Sequence, residues 1–194
     1  ALYLRKLTNG SLDLLDRERS EAKDFLWELE LLYMLRAHGI SATLKEPPDL
    51  VATFDGSNIG IACKKIYSER NVEKVLSQGV GQIERENDYG ILAVNLDDLT
   101  PDNTILTTNT EEEMTEKISQ RNIEFINRHE RHFRKYLSTG RILFALISTS
   151  VVADVRKNSV RLNNVRQSTV WQIPGLPDEK KIMANKFTRQ VMKA

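Results

Sequence analysis

Asp55-Gly56 sits between two short runs of strand-forming residues, Leu50 to Phe54 and Ile59 to Tyr67. An Asp-Gly pair flanked in this way is the strongest short-range sign of a β-hairpin, because the tight turn needs positive φ at its centre. The turn is assigned to Asp55-Gly56-Ser57-Asn58. A hairpin at this place fixes faces. Side chains alternate along a strand, so Ile59, Ile61 and Cys63 share one face while Gly60, Ala62 and Lys64 share the other. Pro47 and Pro48 hold the preceding backbone extended and deliver Asp49 at the head of the first strand. An acid and a lysine, Asp49 and Lys64, thereby meet at one end of the hairpin.

The flanking segments are helices. Ser20 caps one over 20–38, where Ala22, Phe25, Leu26, Leu29, Leu32 and Tyr33 recur at helical spacing and Gly39 gives the stop. Glu21, Glu28 and Arg36 fall near one side of it, which reads as a solvated, salt-bridged face. Ile40 to Leu44 reads as a short strand. After the hairpin a helix over 71–87 carries Val72, Val75, Leu76, Val80 and Ile83 on one stripe, and Lys74, Gln78 and Gln82 on another. Gly79 and Gly81 each cost such a helix about 1 kcal/mol relative to Ala. Two of them imply close approach to the sheet or to a ligand.

Ile91 to Leu96 and Arg141 to Thr149 are near-continuous apolar runs of strand length, as expected for strands covered on both faces. Strand, helix, strand implies a right-handed crossover and a mixed sheet. Residues 97–109 read as a polar loop. Thr110 and Glu113 form a capping box for a long helix reaching 137, which Gly140 closes off. Residues 151–166 read as a charged loop or short edge element, 168–173 as a strand with Trp171 in packing, and 178–192 as a helix. Residues 1–17 read as a strand or short helix packed on the body. The expected whole is a single α/β domain over 1–194, with a core at 20–150 and a C-terminal extension at 151–194.

Composition excludes several classes. The chain has 194 residues, 28 basic and 27 acidic, so its net charge of +1 does not by itself call for nucleic acid. The distribution is more telling. Arg121, Arg128, Arg131, Arg134, Lys135 and Arg141 cluster on and after the long helix, and Arg156, Lys157, Arg161 and Arg166 follow, which predicts a positive face suited to phosphate. No apolar run approaches the roughly 20 residues of a membrane span. No signal peptide is read at the N-terminus, and a cytoplasmic location is expected. Cys63 is the only cysteine, which forbids an internal disulfide and suggests a small buried core residue. His129 and His132 stand in HERH, which is not the HExxH of zinc hydrolases, so zinc is not expected there.

The order Pro48-Asp49, hairpin, Ala62-Cys63-Lys64 resembles the PD-(D/E)xK nuclease superfamily. The resemblance covers residues 20–96 and implies a restriction endonuclease-like three-layer fold, with a central mixed β-sheet flanked by helices. It further implies Mg²⁺ or Mn²⁺ as cofactor and DNA, or RNA, as substrate. By the same resemblance Asp49 is a metal ligand, the Cys63 carbonyl a second, and Glu28 a third from the preceding helix. Lys64 positions or activates the attacking water, and Gln82 (or Gln78) faces the metal from the following helix. Nucleases of this kind act as dimers or within larger assemblies. The position that should carry Glu carries Ala62, and losing a carboxylate beside a hard cation weakens its binding.

Three explanations of Ala62 stay open: an inactivating Glu→Ala replacement in a DNA endonuclease, recovery of the carboxylate from Glu28, and a natural nuclease-like module that binds nucleic acid or protein without cleavage. A plain structural domain, with Asp49 capping a turn and Lys64 at the surface, is the further alternative.

Overall fold

In a computed structural model the described residues are 2–13, 15–83, 87–138, 142–157 and 161–192. Their architecture is three-layer α/β. A seven-stranded mixed sheet has two helices on each face. The elements are α1 (Leu2–Leu7), α2 (Glu21–Ala37), β1 (Ser41–Leu44), β2 (Leu50–Phe54), β3 (Ser57–Lys65), α3 (Val72–Ile83), β4 (Tyr89–Asn95), β5 (Ile105–Thr108), α4 (Glu111–Leu137), β6 (Ile142–Val155), β7 (Asn163–Gln172) and α5 (Asp178–Val191).

The hairpin forms as its sequence directs. The turn is shorter than expected: only Asp55 and Gly56 lie outside the strands, with φ of 50° and 78°. β2 pairs antiparallel with β1 and β3, while β3, β4 and β6 run parallel. Parallel neighbours need a crossover, and α3 supplies it between β3 and β4. The alternation along β3 holds. Ile59, Ile61 and Cys63 join the core beneath α2 and α5, with Leu50, Ile91 and Phe144. Ala62 joins the opposite core beneath α3 and α4, with Leu76, Leu92 and Phe133.

Ser20 caps α2 by accepting from the Lys23 amide. Thr110 caps α4 by accepting from the Glu113 amide at 3.2 Å, while the Glu113 carboxylate reaches back to the Asn109 amide at 2.9 Å. Asn122 is fully buried rather than on the solvent side of α4. It accepts from the Thr149 hydroxyl and donates to the Ile147 and Gln167 carbonyls, pinning α4 to β6 and β7.

The structure departs from the sequence reading in three places. The loop at 97–109 contains a strand, β5, and buries Asp97 and Asp98. Asp97 accepts from the Ser150 amide at 2.6 Å and from Arg166 at 3.1 Å, and Asp98 pairs with Lys65 at 2.8 Å. Paired burial of this kind leaves no apolar signature in the sequence. The segment 151–166 is likewise mostly strand. β6 continues to Val155, so the boundary drawn at 150 falls inside it, and β7 pairs with β6 from Asn163 to Gln172. On α2, Tyr33 is 77% exposed and Trp27 is buried instead. That helix is apolar on nearly every side, so periodicity does not single out its inner face. The predicted end of the second helix at 84–86, Gly140 and Arg141 lie outside the described residues. Among the described residues no helix is long and apolar enough to cross a membrane.

Candidate active site

The hairpin, α2 and α3 converge on one cleft of about 730 Å³. Glu28 enters from α2, Asp49 from the head of β2, Cys63 and Lys64 from the end of β3, and Gln78 and Gln82 from α3. The expected acid–lysine pair is formed. Asp49 Oδ2 accepts from the Cys63 amide at 2.6 Å and from Lys64 Nζ at 3.2 Å. Both bonds fall on one oxygen, and Oδ1 of this buried carboxylate has no partner among the described residues. Pro47 lines the same cleft two residues ahead of Asp49.

α3 passes close over Lys64. A Cβ at Gly79 would stand 2.4 Å from Leu92 Cδ1 and 3.3 Å from Lys64 Cγ. Glycine here lets the lysine stem run beneath the helix to reach Asp49. Gly81 differs: it lines the cleft, and a Cβ there would meet nothing within 4 Å. One glycine thus serves the sheet and the other opens onto the space where a ligand would lie. Gln82 lines that space too, and its buried Oε1 has no hydrogen-bond partner among the described residues.

Glu28 makes no ion pair among the described residues, and Arg36 does not serve it. Arg36 instead donates to the Ala42 carbonyl at 2.9 and 2.8 Å. Burial pushes the Glu28 carboxyl up to about 7, the negative charge of Asp49 adds to the rise, and Lys6 and Lys64 only partly counter it. A half-buried carboxylate facing another carboxylate wants a cation. The Cys63 thiol is also pushed up, by burial first and then by Asp49 and Glu28, so it is no nucleophile.

Ala62 is fully buried and does not line the cleft. Its neighbours belong to the apolar core that contains Leu76, Val80 and Leu92. Among the described residues no group of three or more His, Cys, Asp or Glu side chains is placed to hold a metal ion. The donors that fit one are two carboxylates, Glu28 and Asp49, with Gln82 Oε1 and the Cys63 carbonyl as neutral oxygens. This all-oxygen set suits Mg²⁺ or Mn²⁺, which keep several waters and take one or two protein carboxylates.

Part of the cleft lining was not visible in the sequence. Arg19, Asp24, Lys65 and Tyr67 form it. The Tyr67 hydroxyl donates to Asp24 Oδ1 at 2.6 Å. Behind it Arg166 bridges Glu30 of α2 and Asp97, at 2.8 and 3.1 Å, with its guanidinium 4.7 Å from the centre of the Trp27 ring. A Trp one residue before the candidate ligand Glu28 was the available signal.

The basic stripe of α4 is neutralised in part by acids of other segments and of its own helix. Arg128 and His129 pair with Glu69 at 2.8 and 2.9 Å, Lys135 with Glu73 at 2.8 Å, and Arg134 with Glu130 at 2.6 Å. Arg161 and Arg166 are paired in the same way, with Asp154 and with Glu30. A separate apolar cavity of about 310 Å³ between α2 and α5 has Arg166 as its only charged lining residue among the described residues, so the first cleft is the one rich in ionisable groups.

Searches with this chain against protein-family models, curated proteins and solved structures find no match.

Proposed function

We propose that the chain is a divalent-metal-dependent nuclease that hydrolyses phosphodiester bonds in DNA, with Glu28 and Asp49 as its carboxylate ligands. The observation that carries this reading is the convergence of Glu28, Asp49, Lys64 and Gln82, from four different elements, on one cleft. In it Glu28 supplies the carboxylate that Ala62 lacks, and Ala62 is a native packing residue.

A divalent ion, when bound, lowers the pKa of its water and offsets charge developing on the phosphate. The chain's own residues do the rest. Asp49 keeps Lys64 extended into the cleft, where its ammonium stands ready for a phosphate oxygen or the attacking water. The free Oε1 of Gln82 accepts a hydrogen bond from a water and orients it. Water attack on phosphorus breaks one P–O bond, and the leaving oxygen takes up a proton.

The test is cleavage of duplex and single-stranded DNA and of RNA with Mg²⁺ or Mn²⁺, with EDTA as control. Glu28→Gln and Asp49→Asn each lower metal-dependent cleavage at least about a hundredfold, as loss of a charged ligand implies. A wild-type protein inert on every substrate, yet binding DNA with a steep salt dependence, would establish the non-cleaving nucleic-acid module instead.

A further inference from the structure

Three cations line the cleft: Arg19, Lys64 and Lys65. Two of them are committed. Lys64 pairs with Asp49 at 3.2 Å and Lys65 with buried Asp98 at 2.8 Å. Arg19 is exposed and makes no ion pair among the described residues. It is nevertheless held in place. Its guanidinium carbon lies 5.5 Å from the centre of the Tyr67 ring, within cation–π range. Tyr67 is itself pinned, with its hydroxyl 2.6 Å from Asp24 Oδ1 and 3.3 Å from the Ser20 carbonyl. Asp24, an acid that feels the Arg19 charge, is hydrogen-bonded to the tyrosine and forms no ion pair with Arg19 among the described residues.

The cleft is also larger than a metal with one phosphate requires. At about 730 Å³ it lies within the range of sites that take a drug-sized ligand. Its lining is of two kinds: carboxylates with Lys64 and Gln82, and a guanidinium set on Tyr67 that makes no ion pair among the described residues.

We infer that Arg19, set on Tyr67, is the subsite for a second phosphate of the substrate, next to the one that is cut. This rests on the nuclease reading above and narrows its substrate to a polynucleotide strand, as opposed to an isolated phosphodiester. A planar guanidinium suits the task because it offers two parallel N–H donors to phosphate oxygens. Tyr67 restricts the side chain beforehand, so less freedom is lost on binding.

The test compares two substrates: a short single-stranded oligodeoxynucleotide, and bis(p-nitrophenyl) phosphate, which has a single phosphodiester. Both are assayed with Mn²⁺ for the wild type, Arg19→Ala and Arg19→Lys. The ratio of kcat/KM for the oligonucleotide over the small diester falls about tenfold in Arg19→Ala, the loss expected for one charged hydrogen-bonding partner. Arg19→Lys recovers part of it. An unchanged ratio overturns the inference.

A second measurement stands apart from turnover. Binding of the same oligonucleotide in Ca²⁺ is followed against salt, and Arg19→Ala reduces the slope by about 0.7, the value for one phosphate contact on a single strand. If the wild type cleaves neither substrate, the hydrolase reading fails and this slope alone decides for or against Arg19. An unchanged slope counts against it.

Discussion

Gly79 on α3 stands directly over the stem of Lys64 on β3, so close that any Cβ at that position would press on Lys64 Cγ at 3.3 Å and collide with Leu92 Cδ1 at 2.4 Å. Gly79→Ala gains about 1 kcal/mol of helix propensity but overpacks the core at a cost of about 1–3 kcal/mol. The net result is a lower melting temperature. Gly81→Ala, two residues on, has open space for its Cβ and raises the melting temperature instead. Thermal melts of the two variants settle this; equal shifts would mean that α3 does not approach the sheet as described.

Ala62→Glu separates a native alanine from a replaced glutamate. The side chain is fully buried in the apolar core under α3, where Leu76, Val80 and Leu92 offer a carboxylate no partner. A buried carboxylate without a partner costs several kcal/mol. The variant is therefore less stable by about 2 kcal/mol or more and gains no metal-dependent cleavage. Recovery of activity without loss of stability would make Ala62 a substituted position.

Glu28 makes the metal-free protein sensitive to pH. Its folded-state pKa of about 7 lies above the ordinary 4.5, so the folded protein holds this proton more tightly than the unfolded chain. The resulting stabilisation is full below about pH 4.5 and is lost as pH rises through 7. In EDTA the melting temperature of the wild type falls between pH 5 and pH 8 by more than that of Glu28→Gln. Mn²⁺ at pH 8 restores the wild type and has little effect on Glu28→Gln. Parallel pH curves for the two proteins would remove Glu28 from the site.

Arg166 ties β7 to α2 through Glu30 and to the 97–99 turn through Asp97. Arg166→Met leaves two largely buried carboxylates facing each other. Removing one partner of a buried pair costs about 3–5 kcal/mol, and half of that is a fair floor where Glu30 is partly exposed. Denaturant melts check the loss. Arg166→Met with Asp97→Asn and Glu30→Gln recovers much of it if repulsion is the cause.

The hairpin was legible because each signal in it is local. Asp55-Gly56 sets the turn, the period of two sets the faces, and the two prolines set the approach to Asp49. Gln82 was legible because a helical stripe carries it to the same side as Gln78. The α4 stripe is only partly legible, for an equally definite reason. A run of Arg and His along one helix says nothing about whether Glu69 and Glu73, nearly sixty residues away, neutralise it. The same holds for Asp97 and Asp98, which look like loop acids until Arg166 and Lys65 arrive from other strands.

Local chemistry along the chain is thus enough to build the hairpin, the main helices and their caps, and to bring Asp49 and Lys64 together across one turn. Which carboxylate stands beside them is a different kind of fact. Glu28 reaches the cleft because α2 packs on the face of the sheet that holds Cys63, and Ala62 is shut out of it because α3 covers the other face. Charge pairing and burial depend on contacts between residues distant in sequence, and those exist only once the layers have closed.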